Sequence, residues 1–276
     1  MSAGTSLAAP VLAGAPPTLP TPWFHRSPVS DPVARLVCFP HAGGVAGAFQ
    51  HWQRRLPSDV ELLAVQYPGR QERLDEPVAE SVEQLADQVA EALTPFLDRP
   101  LLLFGHSMGS MVAYEVARRV EESAPGVLAH LFVSAQRAPH AGPPGTLHQE
   151  PDDALVARVR LLDGPRATVY EIAELRQLVL PSLRADYRLV DHYRPARLRR
   201  LHAPITVCGG DRDPGCPVTE LPTWQQATTA DLTVRVFPGG HFYLEPQAAE
   251  LVACVSAAVA ARVPRDGRPP QGDPEL

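Results

Sequence analysis

The stretch "LLLFGHSMGSMVAYEVA", residues 101–117, joins two kinds of sequence pattern. An apolar run ends at Gly105, a single serine follows, and apolar residues at helical spacing begin after it. The serine, Ser107, lies in the motif G-x-S-x-G between Gly105 and Gly109. A strand that turns sharply into a helix at this motif raises the serine hydroxyl above a parallel sheet, and small residues are needed where strand and helix approach. The stretch therefore predicts an α/β fold in which Ser107 is a nucleophile.

Composition limits the class of protein and its partners. The chain has 276 residues, of which 45% are hydrophobic, and its net charge is −6. This length suits one large α/β domain with a sizeable core, and the acidic balance does not suggest a nucleic-acid partner. No run approaches the roughly 20 apolar residues of a membrane span, so no membrane partner is expected.

The cysteines and the first residues of the chain predict a cytoplasmic location. Four cysteines lie far apart and form no CxxC pair, which is typical of reduced thiols rather than of a disulfide framework or a zinc site. The chain begins with prolines and without an early Lys or Arg, so a signal peptide is not expected. No metal or cofactor is predicted.

Short apolar runs alternate with helical patterns along the chain. Residues 81–97 and 246–262 have the apolar spacing of amphipathic helices. Such alternation predicts a mostly parallel sheet with helices on both faces. The predicted strands are 34–39, 60–66, 100–105, 128–134, 205–209 and 232–237.

Three segments depart from this alternation. Residues from about 140 to 200 have helical patterns and no convincing strand, which predicts a helical lid above the sheet. Residues 1–28 are rich in Ala, Pro and Ser, and 264–276 are polar with Pro and Gly, so both are predicted to be disordered tails. The folded domain is therefore predicted to span 29–263.

A nucleophilic serine needs a histidine as its base. In parallel-sheet enzymes with this turn, the serine, an acid and a histidine follow in that chain order. Of ten histidines, His241 is the one that comes after both a strand and an acid, since the last predicted strand ends at Phe237. His106 adjoins the serine and is expected to be packed.

The acid must follow the carboxyl end of a strand. The run at 205–209 is followed by "GDRDP", which offers Asp211 and Asp213. Asp213 precedes a proline that stiffens its loop, and it is the preferred acid. Asp211 is expected instead to cap the turn or to pair with an arginine.

Two backbone N–H groups should form an oxyanion hole. One belongs to Met108, the residue after the nucleophile, and the other should come from the loop after the first predicted strand. That loop, "CFPHAGGVAGAF", contains small residues that allow close approach, and Ala42 is the candidate. His41 lies beside this hole and before the nucleophile, which argues against its being the base.

Together these motifs resemble a known family. "CFPHAGG", "QYPGRQ", "FGHSMG", "LPSLRADY", "GDRDP" and "FPGGHFYL" look like the type II thioesterases of polyketide and non-ribosomal peptide pathways, over about residues 33 to 260. The resemblance implies a stand-alone α/β-hydrolase that removes stalled short acyl groups from the phosphopantetheine arm of acyl or peptidyl carrier proteins. It carries over Ser107 as nucleophile, Asp213 as acid and His241 as base.

One departure from related enzymes favours the stand-alone class. Chain-releasing thioesterases of such pathways often hold their acid after the strand before the lid. Here that position reads "SAQRAP", which contains no acid.

Other interpretations stay open at the level of sequence. Arg70, in "QYPGR", is a candidate contact to the carrier or to the phosphate of its arm, and equally a turn residue in local ion pairs. The same triad also serves general esterases, lipases and acyltransferases. A non-catalytic binding protein on this scaffold is a further alternative, although the intact Ser, Asp and His argue against it.

Overall fold

The structure is a computed structural model, and it describes residues 22–142, 145–195 and 198–263, without the side chains of 163–167. The predicted tail at 264–276 and most of the predicted tail at 1–28 lie outside the described residues. In the described part of the chain, no helix is both long enough and apolar enough to cross a membrane.

A seven-stranded sheet forms the centre of the described structure, in the order β1-β3-β2-β4-β5-β6-β7. All neighbouring strands are parallel except β1 and β3, which are antiparallel. Each of the six strands predicted from apolar runs is present to within a residue at either end, which confirms the mostly parallel sheet. The strands are β1 (Phe24–Ser27), β2 (Ala34–Phe39), β3 (Val60–Val65), β4 (Leu101–His106), β5 (Leu128–Ser134), β6 (Ile205–Gly210) and β7 (Leu232–Phe237).

Five α-helices accompany the sheet in the described residues: α1 (Val82–Leu93), α2 (Met108–Ser123), α3 (Asp152–Asp163), α4 (Ala173–His192) and α5 (Ala248–Arg262). The apolar sides of α1 and α2 are buried in one core with one face of the sheet. The apolar side of α5 is buried in a second core with the other face. Helices therefore cover both faces, as the alternation of patterns predicted.

The first strand corrects the predicted end of the amino-terminal tail. Residues 24–27 form β1, which pairs with β3, so the folded part begins before residue 29. Phe24 is buried and packs edge-on against Phe96, and Arg26 pairs with Glu61. A four-residue strand with a single buried residue has too short a pattern to be recognised in sequence.

The region between β5 and β6 is helical, as predicted, and its described residues contain no strand. We call residues 152–192, which include α3 and α4, the helical segment. Leu155, Val156 and Leu183 belong to a small core within this segment, and Ala42 from the loop after β2 packs against it. The segment therefore rests on the loops at the carboxyl edge of the sheet.

Candidate active site

Ser107 lies at a strained turn between β4 and α2. Its φ of 54° and ψ of −120° are unusual for a residue with a side chain. A Cβ at Gly105 would lie 2.2 Å from the carbonyl oxygen of Gly109, and one at Gly109 would lie 2.1 Å from that of Phe39. Both positions therefore require glycine, which explains the G-x-S-x-G spacing physically.

Three predicted residues meet at this turn. The distance from Ser107 Oγ to His241 Nε2 is 3.0 Å, and that from His241 Nδ1 to Asp213 Oδ2 is 2.8 Å. His241 and Asp213 are 4% and 6% exposed. The other carboxylate oxygen of Asp213 accepts a hydrogen bond from the Gly215 N–H at 2.7 Å. A serine, an imidazole and a carboxylate thus form one chain of hydrogen bonds, the arrangement that general-base activation of a serine requires.

The two candidate acids have different surroundings. Asp211 is exposed, accepts a hydrogen bond from the Gly239 N–H at 2.8 Å, and lies 3.3 Å from Arg212 Nε. This is the turn-capping and ion-pairing role expected for it. Asp213 is the carboxylate that contacts His241.

His106 is packed, as expected. It is fully buried, its Nδ1 lies 2.9 Å from Ser134 Oγ, and its ring centroid is 5.2 Å from that of His241. Burial lowers the pKa of His106 well below its usual value, and His241 and His41 lower that pKa further. His106 is therefore a neutral side chain packed beside His241.

The two predicted oxyanion donors lie next to Ser107. Met108 is the first residue of α2, so its N–H is one of the helix N-terminal donors that have no partner within the helix. Ala42 lies in the loop after β2 and borders the same cavities as Ser107. The next N–H of that loop, from Gly43, is already donated to Asp186 at 2.7 Å. Of these two neighbours, Ala42 is thus the better candidate for a substrate contact.

Two cavities meet at Ser107. The narrow chamber has a volume of about 160 Å³, and the wide chamber about 340 Å³. Five residues border both: Ala42, Ser107, Leu162, Tyr187 and His241. Those that border only the narrow chamber are His41, Gly43, Val159, Val169, Tyr170 and Phe242.

The wide chamber differs from the narrow one in charge. Its wall includes Arg137, Arg158 and Arg194, together with Asp191. Arg137 pairs with Glu220, and Asp191 lies 2.7 Å from His148 Nδ1. Arg158 has no hydrogen bond or ion pair with any residue in the described part of the chain. The wide chamber thus has arginines in its wall, whereas the narrow chamber has none and is lined by aromatic, aliphatic and histidine side chains.

The structure corrects the interpretation of Arg70 as a contact to the carrier. Arg70 is 6% exposed and borders neither chamber. Its guanidinium donates to both carboxylate oxygens of Asp186, at 2.7 and 2.8 Å. Burial lowers the pKa of Arg70, but the adjacent Asp186 carboxylate outweighs this, and the pKa is raised. The alternative interpretation, an arginine in an ion pair, agrees better with the structure, although the partner of Arg70 is distant in sequence.

Sequence reasoning missed Asp186 and the residues that shape the chambers. Asp186 follows Leu180 and Leu183 at intervals of three on the buried side of α4. A carboxylate inside an apolar stripe was a signal that could have drawn attention to it, because buried charges need partners. Val169 and Arg158 carried no comparable signal, since nothing local distinguishes a wall residue from other residues of a helical region.

The region that matches known proteins extends from the start of β2 into α5. A family model described as "Thioesterase domain" matches residues 34–259. Thioesterase PikA5 from Streptomyces venezuelae is 41% identical over 236 residues, which are 85% of this chain and 84% of that protein.

Solved structures agree with this match. The type II thioesterase BorB from the borrelidin biosynthetic cluster superposes with a TM-score of 0.81 at 36% identity, covering 88% of this chain and all of that one. The thioesterase RedJ from the prodiginine pathway of Streptomyces coelicolor gives 0.77 at 37% identity, covering 91% of both chains. These matches confirm the resemblance and the fold that the motifs implied.

Proposed function

The chain belongs to the thioesterase family, and we propose that it is a type II thioesterase of a polyketide or non-ribosomal peptide synthase. Its substrates are acyl thioesters on the phosphopantetheine arm of acyl or peptidyl carrier proteins. Its role is editing, in which it hydrolyses short acyl groups that stall the synthase.

One observation carries this proposal beyond family membership. The chain of hydrogen bonds from Ser107 through His241 to Asp213 lies where the narrow and wide chambers meet. A thioester is an acyl group joined to an arm, so its reacting carbonyl belongs at such a junction. The type II thioesterase BorB and the other matched thioesterases support the same reading.

The acylation step follows from the geometry. Nε2 of His241 accepts the proton of Ser107 as Oγ attacks the thioester carbonyl, and Asp213 stabilises the imidazolium that forms. The N–H groups of Met108 and Ala42 donate to the oxyanion, at about 3 kcal/mol of stabilisation per donor. The C–S bond then breaks, and His241 returns the proton to the departing pantetheine thiolate.

The deacylation step repeats this chemistry with water. His241 removes a proton from a water molecule as its oxygen attacks the acyl-serine, and the same two N–H groups stabilise the second oxyanion. Ser107 leaves with the proton from His241, and a free carboxylic acid is released. The groups named so far supply each proton transfer in both steps.

The narrow chamber suits a short acyl group. An apolar cavity of about 150 Å³ holds one benzene molecule, and the narrow chamber has about 160 Å³. We therefore assign acyl groups of up to about six carbons to it on that comparison. The wide chamber, with its arginines, then takes the pantetheine arm, whose amides and phosphate need polar partners.

A cytoplasmic location belongs to the same proposal. All four cysteines are unpaired, and three of them are buried. Free thiols are typical of proteins in reducing compartments.

The test is a panel of acyl-carrier substrates with mass analysis of the products. We expect acetyl-, propionyl- and butyryl-carrier thioesters to be hydrolysed faster than long chains, with the free acid as product. The carrier-bound form should be preferred to the same acyl group on a small thiol. Rates that rise steadily with chain length, or cyclised products, would indicate a chain-releasing enzyme instead. A preference for oxygen esters would indicate a general esterase.

A further inference from the structure

A buried ion pair joins the helical segment to the sheet beside the loop at 41–44. Arg70 follows β3, and Asp186 lies in α4, 116 residues later. Their side chains are 7% and 4% exposed, and the guanidinium contacts both carboxylate oxygens. Planar, bidentate contacts of this kind fix geometry as well as charge. The pair therefore holds α4 in one position relative to the loop after β3.

Each member of the pair also binds the loop at 41–44, which we call the oxyanion loop. Asp186 Oδ2 accepts the N–H of Gly43 at 2.7 Å, and Arg70 Nη1 donates to the carbonyl oxygen of Gly44 at 3.1 Å. Gly43 has a φ of +74°, and a Cβ there would lie 2.9 Å from Leu183 Cδ1 of α4. The loop is thus held at two consecutive residues, and α4 packs directly against it.

Ala42, the candidate oxyanion donor, directly precedes Gly43 and Gly44, the two residues that the ion pair binds. An oxyanion donor is effective when it is fixed before the reaction begins, because it then costs no reorganisation in the transition state. A misplacement of about 1 Å at a reacting centre costs about 100-fold in rate. We propose that Arg70 and Asp186 are positioning residues that hold the oxyanion loop, through Gly43 and Gly44, so that the Ala42 N–H faces the reacting carbonyl.

This inference rests on the proposed function only in that Ser107 carries out acyl transfer. An oxygen ester forms the same tetrahedral oxyanion as a thioester. p-Nitrophenyl butyrate therefore tests Arg70 and Asp186 even if carrier proteins prove not to be the substrates. If the unmodified enzyme hydrolyses p-nitrophenyl butyrate but not acyl-carrier thioesters, that result would count against the proposed function and not against this inference.

The experiment compares two buried ion pairs. Asp186→Asn keeps the shape of the side chain and removes its charge. Glu61→Gln is the matched control, because Glu61 forms a buried ion pair with Arg35, and their side chains are 1% and 4% exposed. This pair lies near the amino ends of β2 and β3, away from Ser107. We expect Asp186→Asn to lower kcat for p-nitrophenyl butyrate by about 10- to 100-fold with KM within about twofold. Glu61→Gln should lower the melting temperature and leave kcat unchanged in the folded enzyme.

A second measurement separates positioning from general destabilisation. A trifluoromethyl ketone with a short acyl chain forms a tetrahedral oxyanion on Ser107, so its affinity should fall in parallel with kcat/KM in Asp186→Asn. Arg70→Lys keeps the charge but not the planar fork, so its kcat should lie between those of the unmodified enzyme and Arg70→Met. If Asp186→Asn does not fold, the Arg70→Lys and Arg70→Met pair decides by the same measurements.

Three results would overturn the inference. Asp186→Asn could retain full kcat, or it could raise KM with kcat unchanged. The kcat of Glu61→Gln could also fall as far as that of Asp186→Asn at a similar loss of melting temperature. Any of these would show that the Arg70–Asp186 pair stabilises the fold without placing the oxyanion loop.

Discussion

The carboxyl edge of the sheet and the helical segment form the two sides of the same cavity, and they differ in construction. At the sheet edge, Ser107, Asp213 and His241 each come from a short loop directly after a strand of the central sheet. The helical segment contributes no such loop, and it presents side chains along α3 and α4 to the two chambers. It also exposes several large apolar residues: Leu161, Ile172, Leu175 and Leu178.

This difference in construction suits two separate tasks, catalysis at the sheet edge and selection of the acyl group in the helical segment. Acyl transfer needs atoms fixed to a fraction of an ångström, and loops anchored on buried strands supply that. Choice between acyl groups needs a wall whose shape can vary, and a helical excursion supplies that without disturbing the sheet. Substitutions at the sheet edge, and at Asp186, which contacts the oxyanion loop, should therefore change the rate for every substrate. Substitutions of the chamber-wall residues of the helical segment should instead change the ratio between substrates.

The largest effect is expected at the nucleophile. Ser107→Ala removes the attacking oxygen, so it should abolish nearly all turnover and all covalent labelling by a fluorophosphonate. Acyl-carrier hydrolysis, mass spectrometry of the labelled protein and a melting curve check this. Labelling that persisted at another serine would show that the sheet edge does not hold the nucleophile.

The acid should come next. Asp213→Asn would favour the wrong imidazole tautomer of His241, which costs about 10⁴-fold in kcat in a comparable triad. Asp211→Asn is the matched control, since Asp211 caps a turn at the same loop, and its effect on kcat should be much smaller. Steady-state kinetics on one acyl thioester compare the two variants. If Asp211→Asn had the larger effect, Asp211 rather than Asp213 would be the acid.

The narrow chamber should control acyl length. Val169 borders only the narrow chamber, so Val169→Ala should enlarge that chamber. It should raise kcat/KM for octanoyl relative to acetyl thioesters, with each methylene that is newly accommodated lowering the activation free energy by about 1–3 kcal/mol. Val190→Ala removes the same atoms from the wide chamber and should leave this ratio unchanged. The measurement is kcat/KM over a series of acyl lengths on one carrier. Equal shifts in both variants would remove the distinction between the chambers.

The smallest effect is expected at Arg158, on the wide chamber. Arg158→Gln should reduce the preference for acyl-phosphopantetheine over acyl-pantetheine by about threefold to tenfold, because a half-buried charge pair contributes about 1 kcal/mol. Arg160→Gln serves as the control, since Arg160 is exposed on the same helix and pairs with Glu171. A loss that is the same for both thiols would mean that Arg158 does not contact the phosphate.

Predictions made from the sequence were most accurate where the signal is local. Apolar runs at 34–39 and 232–237 become strands at those same bounds. β2 is buried along its whole length, whereas β7 lies at the sheet edge with Phe237 as its one buried residue, and its run was recognisable by its β-branched residues. Ser107 was found because its turn admits only glycine at Gly105 and Gly109. His241 and Asp213 followed from chain order, and the structure brings them to hydrogen-bonding distance of one another.

Predictions failed where the signal is spread over the fold. β1 has four residues, and its pairing with β3 decides its conformation more than its own pattern does. For Arg70 the sequence offered a carrier contact or a local ion pair, and it could not identify the actual partner, because Asp186 lies 116 residues away in α4. No local pattern at either residue specifies the other, although an aspartate in an apolar stripe indicates that some cation must be near.

The sequence by itself determined the strands, the turn at Ser107 and the order of the candidate triad, because each depends on neighbours a few residues apart. The tertiary structure alone decided how α4 meets the oxyanion loop, where Arg70 points, and that two chambers of different size and charge meet at Ser107. Those features depend on side chains that are distant in the chain and that come together only when the helical segment packs on the sheet edge.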